Sequence, residues 1–452
     1  MRVIIVGCGK IGAAIVENLV AEGLEVVALD KNPDVIAEIT NIYDAIGVCG
    51  NGADCEPLEE AGVDKAELVV AVTNSDEMNM LSCFLAKRMG AKHTIARIRN
   101  PEYNDKSLSF MRTQLDISMA INPELLTAHE MFKILKLPSA VTVETFSQRN
   151  FEMIELVLRQ DSAIGGYSLM ELRKKYSARF LVCVVQRDDE VYIPDGNFVL
   201  QGGDRIGIMA TPVEVNKFIR QIGLVKKQAK SVMIIGASRT AYYLAKLLMD
   251  SGTAVKIVDI DRARCEEYAG LLPGAVVIEG DGVQQELLFE EGINSVDAFI
   301  ALTGKDEGNI LVSIFAESQN VPKVIAKVNR NELASMAEKL GLECIVSPKK
   351  IISDVLSRYA RALKNSLGSK VETLYKLMDG KAEALEFKVQ PDFEGSNIPL
   401  ATLSIKPNIL ITGIIRGRKA IIPSGGDVIL PGDNVIVLAA GKQLQDLSDI
   451  LD

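Results

Sequence analysis

The sequence has only two histidines, His93 and His129, and no long apolar segment. Neither histidine accompanies an acidic partner at a motif position, which argues against a histidine–carboxylate pair for proton transfer. No segment reaches the ~18 consecutive apolar residues of a membrane-spanning helix. The chain enters a strand-like run directly at Arg2, so no signal peptide is expected. We therefore expect a chain that does not span a membrane by itself.

The seven cysteines form no C-x-x-C motif and are scattered along the chain. Cys8 lies inside a glycine-rich turn, where a disulfide would be obstructive, so a reducing cytoplasm is the expected compartment. Cys49 and Cys55 flank Gly52, but two thiols with no further cysteine or histidine nearby do not fill a zinc site. We expect these two cysteines to be buried free thiols.

The charge balance is acidic, with a net charge of −10. Binding to nucleic-acid phosphates needs a basic face, so general affinity for nucleic acid is not expected. One local basic stretch includes Lys349, Lys350 and the segment 358–364. It fits either a solvated helix face or a surface for an anionic membrane or a partner, and the solvated face is favoured.

The first thirty residues have the order of a dinucleotide-binding unit: strand, glycine turn, helix, strand and acid. Each glycine of the turn has a physical role: the first makes a tight bend, the second lets the backbone approach a pyrophosphate, and the third lets the helix pack on the strand. The helix N-terminus then offers free N–H groups to phosphates. The turn consists of Gly7, Cys8, Gly9, Lys10, Ile11 and Gly12.

Asp30 ends the second strand of this unit, eighteen residues after Gly12. Its carboxylate is placed to accept hydrogen bonds from an adenosine ribose, and its charge would repel a 2′-phosphate. The pattern therefore predicts binding of NAD(H) or of an adenine nucleotide such as ATP or ADP, rather than NADP(H). The alternative is a tight turn with a purely structural role.

The chain is a tandem duplication with a period of about 230 residues. The opening strand and its glycine recur at 230–236, Asp30 recurs as Asp259, and the segment 71–77 recurs at 301–307. Within each half, apolar strands alternate with helical stretches, which is typical of a doubly wound parallel sheet. A shorter region of strands and glycine turns follows, which predicts a small antiparallel domain.

Four domains follow from this reading, in the order nucleotide-binding, small, nucleotide-binding, small. The fold class is α/β, with two Rossmann-like doubly wound parallel sheets, each followed by a small α+β domain. The predicted domains are residues 1–137, 140–224, 229–350 and 370–452, and the expected connectors are 137–140, 223–229 and 365–370.

With these features the chain resembles the TrkA family, the cytoplasmic NAD-binding subunits of Trk potassium-uptake systems, which contain two tandem RCK modules. The resemblance covers essentially the full length. It rests on the glycine turn, Asp30, the segment 71–77, Arg97 and the turn pair 193–196 and 203–204, most of them present twice. It implies a homo-oligomer, a dimer or a tetrameric ring, on the inner face of the cell membrane under a membrane-embedded potassium-transporting partner. Nucleotide occupancy would change the ring and so the partner's gate.

The resemblance also suggests further ligand contacts at strand ends. Thr73 follows the fourth strand, where open α/β sheets place ligands, and Arg97 could reach a phosphate with two N–H groups. Asn51 stands where the family usually has an acid near the adenine. The alternatives are a helix-start role for Thr73 and a solvated or inter-subunit ion pair for Arg97.

The second glycine turn departs from the pattern, because Ser238 and Ala241 replace its second and third glycines. A side chain at Ser238 would crowd a pyrophosphate, although Asp259 is retained and Arg239 could supply a compensating charge. Whether this second site binds a nucleotide stays open.

Two alternative functions remain beside a gating subunit without enzymatic activity. One is a soluble NAD-dependent regulator unrelated to potassium, and the other is an oxidoreductase. Tyr242 and Lys246 have the spacing of a short-chain dehydrogenase pair. They lie on the helix directly after the second glycine turn, where they cannot reach a nicotinamide, so we interpret them as surface and packing residues.

Overall fold

The computed structural model describes residues 1–100, 103, 105–136, 142–146, 151–160, 162–188, 190–223, 229–366, 371–442, 444 and 446–452. The predicted connector 137–140 lies outside these residues, as do most of the connectors 223–229 and 365–370. Within the described ranges, no helix is long and apolar enough to cross a bilayer.

The first half opens with a six-stranded parallel sheet in the order β3-β2-β1-β4-β5-β6. Its central strands are apolar throughout because helices cover both faces of a parallel sheet. The strands are β1 (Arg2–Val6), β2 (Glu25–Asp30), β3 (Ile46–Cys49), β4 (Leu68–Ala71), β5 (His93–Arg97) and β6 (Met119–Ile121). The helices are α1 (Lys10–Ala21), α2 (Pro33–Ile42), α3 (Cys55–Glu60), α4 (Asp76–Arg88), α5 (Asp105–Gln114) and α6 (Pro123–Lys136).

A small antiparallel sheet follows, in the order β10-β9-β11-β8-β7. The strands are β7 (Thr142–Phe146), β8 (Phe151–Val157), β9 (Leu181–Arg187), β10 (Glu190–Tyr192) and β11 (Arg205–Ala210). The helices are α7 (Leu169–Lys175) and α8 (Pro212–Gln221). The second turn of the pair noted in the sequence contains a buried carboxylate: Asp204 pairs with Arg187 of β9 at 2.7 Å.

The second half repeats this architecture. Its parallel sheet has the order β14-β13-β12-β15-β16-β17, and its small sheet has the order β18-β19-β22-β20-β21. The parallel strands are β12 (Ser231–Ile235), β13 (Ala254–Asp259), β14 (Val276–Glu279), β15 (Ala298–Ala301), β16 (Lys323–Lys327) and β17 (Ile345–Val346). The helices are α9 (Arg239–Asp250), α10 (Arg262–Leu271), α11 (Gln285–Glu290), α12 (Asp306–Ser318), α13 (Asn331–Lys339) and α14 (Pro348–Ser366). The small sheet contains β18 (Val371–Leu377), β19 (Ala382–Lys388), β20 (Ile409–Arg416), β21 (Lys419–Ile421) and β22 (Asn434–Ala440).

The predicted fold class is confirmed: two Rossmann-like doubly wound sheets, each followed by a small antiparallel domain. In each parallel sheet the strand order reverses beside the first strand, β1 or β12. An open α/β sheet has its ligand crevice at this reversal, outside the carboxyl ends of the strands. The glycine turns therefore lie where a ligand is expected.

The two parallel-sheet domains exchange their last helices. Helix α6 of the first half packs on α9 of the second, where Met131 and Leu135 share a core with Leu244 and Leu248. Helix α14 of the second half packs on α1 of the first, in the core that contains Ile352 and Leu356. The small sheets also share a core, which includes Phe151 of the first and Leu438 of the second. The halves are thus joined both through their parallel-sheet domains and through their small sheets.

The basic stretch lies on α14, and the prediction of a solvated face is wrong for Arg361. Its side chain is only 15% exposed and forms ion pairs with Glu22 and Glu383. The sequence pattern gave no sign of this, because both acids lie on other elements, and Glu22 is 339 residues away.

Glu144 on β7 lies at the junction of the exchanged helices, and its carboxyl is expected to make stability depend on pH. Burial, with the negative charge of Glu130, raises the pKa of Glu144 from 4.5 to about 8, whereas Arg358 and Lys133 oppose this shift. The charge of Asp354 also favours the protonated form. The folded chain thus keeps a proton that the unfolded chain releases near pH 4.5. This contribution to stability is complete below about pH 4.5 and is lost as the pH rises through about 8.

We therefore expect the thermal midpoint of the wild type to fall between pH 5 and pH 8 more steeply than that of Glu144→Gln, whose side chain cannot ionise. The exposed Glu59→Gln serves as the control and should follow the wild type. Parallel curves for the wild type and Glu144→Gln would contradict the proposed titration.

Candidate functional site

Gly7 and Gly236 bend the chain at the end of the first strand of each parallel sheet. Both have positive φ angles, +89° and +102°, and a Cβ atom would come within 3.0 Å of the backbone of Thr73 or Thr303. Only glycine adopts such a conformation at little cost. These two glycines are therefore required for folding in both halves, whether or not a ligand binds.

The other two glycines of the first turn differ from each other. A Cβ atom on Gly12 would overlap the carbonyl oxygen of Gly7, so Gly12 is needed for helix α1 to approach β1. A Cβ atom on Gly9 would meet no described atom within 4 Å. Packing of the described chain thus gives no reason for glycine at position 9, where the space in front of the helix is open.

Gly9 is also the N-cap of α1, and no described side chain caps this helix end. In the second half Ser238 is the N-cap, and its hydroxyl accepts a hydrogen bond from the backbone of Ala241 at 3.4 Å. The first N–H groups of a helix need acceptors from outside the helix. The first turn leaves the N-terminus of α1 open to an anion, whereas Ser238 occupies the corresponding place in the second.

Lys10, Ile11 and Gly12 form the first turn of α1, with Lys10 exposed and Gly12 buried. Cys8 is buried, and burial together with the negative charge of Asp30 raises the pKa of its thiol to about 12. This thiol stays protonated at neutral pH, so Cys8 offers its backbone N–H rather than a reactive sulfur.

Asp30 holds the glycine turn in place. Its Oδ2 accepts a hydrogen bond from the N–H of Cys8 at 2.7 Å, and its Oδ1 accepts one from Asn32 at 2.9 Å. Asp259 makes the same two bonds in the second half, to Ala237 at 2.5 Å and Asp261 at 2.8 Å. Each carboxylate oxygen has a second lone pair, which leaves room for the predicted ribose contact.

Thr73 is engaged by a side chain that sequence reasoning missed. Both its N–H and its hydroxyl donate to Oδ1 of the buried Asn79, each at 2.7 Å. Thr303 makes the same pair of bonds to Asn309, at 3.0 and 2.6 Å. This arrangement ties the end of the fourth strand to the following helix. The presence of an asparagine at the same place in both repeats was the signal that could have found it.

Arg97 is buried at the carboxyl end of β5, with 4% of its surface exposed. One terminal nitrogen donates to the carbonyl oxygen of Thr73, while Nε has no hydrogen-bond partner among the described residues. Burial, with the nearby charge of Arg99, lowers the pKa of Arg97 to about 10. Arg97 has no ion-pair partner in the described part of the chain, so it is a buried cation with donor capacity to spare. Lys327 takes its place in the second half and donates to Leu302 at 3.2 Å.

Asn51 lies exposed in the loop after β3, where its Oδ1 accepts from the N–H of Ala53 at 3.1 Å. Its predicted contact with adenine stays a prediction. Cys49 and Cys55 beside it are free thiols, but the expectation that they are buried is wrong. Cys49 ends β3, which is the edge strand of its sheet, and Cys55 begins the short helix α3. Side chains at such an edge remain accessible.

Helix α9 of the second half contacts the segments that follow β5 and β6 of the first half. The hydroxyl of Tyr243 donates to the carbonyl of Arg99 at 3.2 Å and accepts from Asn122 at 3.0 Å. The charge of Arg239, at the start of the same helix, helps to lower the pKa of Arg97. Tyr242 packs against Tyr243 and Tyr268, in agreement with a packing role. Residues of the second half thus lie close to the buried Arg97 of the first half.

Comparisons with known proteins agree on a single family over the whole chain. The sequence model of the TrkA-N domain matches residues 3–123 and 232–348, and that of the TrkA-C domain matches residues 153–223 and 385–452. The Trk system potassium uptake protein TrkA homolog 1 of Methanosarcina mazei is 30% identical over 455 residues, 99% of each chain. The TrkA homolog of Archaeoglobus fulgidus is 30% identical over 450 residues, 100% of each chain. A solved structure of the GsuK channel bound to NAD has the same fold, with a TM-score of 0.63 and 16% identity over 97% of this chain and 77% of that one.

Proposed function

Because the chain belongs to the TrkA family and contains both domain types of that family twice, we propose that it is a nucleotide-binding regulatory subunit of a Trk-type potassium uptake system. In this proposal the four domains are residues 1–137, 140–224, 229–350 and 370–452. The subunit acts by binding and not by catalysis, on the cytoplasmic face of the cell membrane.

The main observation that supports a nucleotide site is the open N-terminus of α1 at Gly9. A pyrophosphate group placed there accepts hydrogen bonds from the first N–H groups of the helix and benefits from the helix dipole. Gly9 leaves space for this approach, and the packing of the described chain does not require a glycine at that position. The site is therefore better explained by a ligand than by folding.

The proposed ligand is NAD(H), with ADP or ATP as alternatives. Asp30, fixed by Cys8 and Asn32, presents its free lone pairs to the ribose hydroxyls and repels a 2′-phosphate, so NADP(H) should bind more weakly. Asn51 faces the adenine, and Arg97 is the cation proposed to attract a phosphate. NAD is bound by the GsuK channel of the same fold, which supports this choice without fixing it.

The second half is proposed to bind nucleotide weakly or not at all. Ser238 fills the space in front of α9, and its hydroxyl already accepts from Ala241. Asp259 keeps the turn in shape, as Asp30 does in the first half. Arg239 contributes its charge to the first crevice and does not compensate for the lost glycines of its own turn.

Regulation follows from a difference in nucleotide affinity between two conformations, which typically provides about 1–3 kcal/mol of coupling. The partner is a membrane-embedded potassium-transporting subunit, and the regulatory chain assembles as a homo-oligomer, a dimer or a tetrameric ring, beneath it. Potassium uptake by the reconstituted transporter should therefore change on addition of NADH when this chain is present. No change in uptake, or NADH oxidation with turnover, would contradict the proposal.

Arg97→Met is expected to change ligand affinity and stability in different ways. The substitution removes a charge-assisted bond worth about 1.5–3 kcal/mol, so affinity for NADH should fall about tenfold or more. The substitution removes a buried cation whose desolvation is costly, and this gain offsets the loss of its hydrogen bond to Thr73. The thermal midpoint without ligand should therefore stay the same or rise.

The matched control for Arg97→Met is Lys327→Met, which makes a similar change at the corresponding position of the second half. It should leave NADH affinity unchanged. Calorimetric titration gives the affinity and a thermal melt gives the stability. An unchanged affinity in Arg97→Met would remove Arg97 from the ligand site.

A further inference from the structure

Glu22, the residue that ends helix α1, is the centre of a buried ion network. Its side chain is only 5% exposed and pairs with two cations, Arg361 of α14 and Lys376 of β18. The distance from Lys376 Nζ to Glu22 Oε1 is 2.9 Å. One carboxylate at the end of the nucleotide-site helix is thus bound to two elements of the second half.

The same cations connect Glu22 to the second small domain. Lys376 lies on β18 itself and also donates to Asn18 of α1 at 2.6 Å. Arg361 donates to Glu383 on β19 at 3.2 Å, and the Glu383 side chain is 10% exposed. The network therefore spans from α1, through α14, to the first two strands of the second small sheet.

Such a network fixes the relative positions of the elements that it joins more than it adds to the free energy of unfolding. A buried ion pair gains little net free energy, because removing the charges from water costs about as much as their attraction returns. Breaking one partner is costly, however, since it leaves an uncompensated charge. The network therefore holds α1, β18 and β19 in fixed relative positions, and we expect a displacement of α1 to move these strands as well.

In the second half a serine stands at the position that corresponds to Glu22. Ser251 stands at the end of α9, where its hydroxyl donates to Leu248 of the same helix at 2.8 Å. Where α9 packs on α6, the shared core includes Met131 and Leu244. The ion network is thus present on the half that keeps all three glycines and is replaced on the half that has lost two of them.

We infer that Glu22 is a positioning residue that links nucleotide occupancy of the first site to the second small domain. Helix α1 begins at the nucleotide phosphates and ends at Glu22, so a ligand that fixes its N-terminus also fixes the carboxylate. The ion pairs of this carboxylate with Arg361 and Lys376 then restrain β18 and β19. The inference rests on the proposed binding of nucleotide to the first half.

Hydrogen exchange of the full chain, with and without saturating NADH, tests this link. In the wild type NADH should slow amide exchange in β18 and β19, residues 371–388. In Glu22→Gln NADH should still bind, as checked by calorimetry, but the slowing in these strands should be lost. Lys376→Gln breaks the connection at the strand while leaving Glu22 paired with Arg361, and it should show the same loss.

The control is Lys256→Met, which breaks an ion pair of 2.7 Å with Glu291 inside the second nucleotide-type domain. This variant should keep the NADH-induced slowing in β18 and β19. NADH binding to the wild type without a change in these strands would overturn the link alone, as would full slowing in both Glu22→Gln and Lys376→Gln. If neither NADH nor ADP binds to the wild type, the proposed function fails and the link fails with it.

Discussion

Gly9→Val is expected to abolish NADH binding to the first half and to leave the protein folded. The valine side chain would occupy the open space in front of α1, where the phosphates are proposed to lie. No described atom within 4 Å opposes its Cβ atom, and the φ angle of −66° suits an ordinary residue. The cost to the helix is the loss of a favourable N-cap residue, about 1 kcal/mol. We therefore expect no detectable NADH binding and only a small change in thermal midpoint.

The control for Gly9→Val is Gly270→Val, at another glycine with open space around its Cβ, but on helix α10 of the second half. It should bind NADH as the wild type does. Gly12→Val should behave differently from both, because its side chain would overlap Gly7 and destabilise the first half. If Gly9→Val binds NADH normally, the nucleotide does not lie at the N-terminus of α1.

Asp30→Ala and Asp259→Ala should have similar effects on stability and different effects on binding. Each removes a carboxylate that accepts two backbone hydrogen bonds in the same geometry. Leaving such N–H groups unpaired costs about 1–3 kcal/mol for each buried group, so both variants should melt at lower temperature. Asp30→Ala should also lose its ribose bonds, worth about 1.5–3 kcal/mol, or roughly tenfold to a hundredfold in NADH affinity.

The comparison separates the structural role of the carboxylate from its role in binding. Asp259→Ala should keep the NADH affinity of the wild type, measured by calorimetry below the melting range of both variants. Equal loss of affinity in the two variants would contradict the assignment of the nucleotide site to the first half alone. Unchanged affinity in Asp30→Ala would exclude the ribose contact.

The repeat made most of the fold predictable. The two apolar strands around each glycine turn, and the recurrence of Asp30 as Asp259, indicated two doubly wound sheets, because local patterns decide where strands and turns form. The exchange of α6 and α14 was not predictable, since both helices have an apolar face and the sequence does not say which neighbour it meets. The ion network of Glu22 was hidden for the same reason: its partners are more than three hundred residues away.

The candidate site was predictable where the backbone is special and less so where side chains pair. The sequence identified Gly7, Gly9 and Gly12, and the separate roles expected of Gly9 and Gly12 agree with the open space at Gly9 and the tight packing at Gly12. The bonds of Asn79 to Thr73 were not predicted, because an asparagine inside a helix has no motif of its own. The exposure of Cys49 was missed because the sequence does not show that β3 is an edge strand.

The most direct test of the account is a calorimetric titration of the purified chain with NADH and then ADP, with the absorbance of NADH followed in parallel. We predict one nucleotide site per chain and no consumption of NADH, because α1 is open at Gly9 and α9 is capped by Ser238. Two equal sites would contradict the assignment of the second half. No binding at all, or steady oxidation of NADH, would contradict the claim that this chain is a nucleotide-binding regulatory subunit.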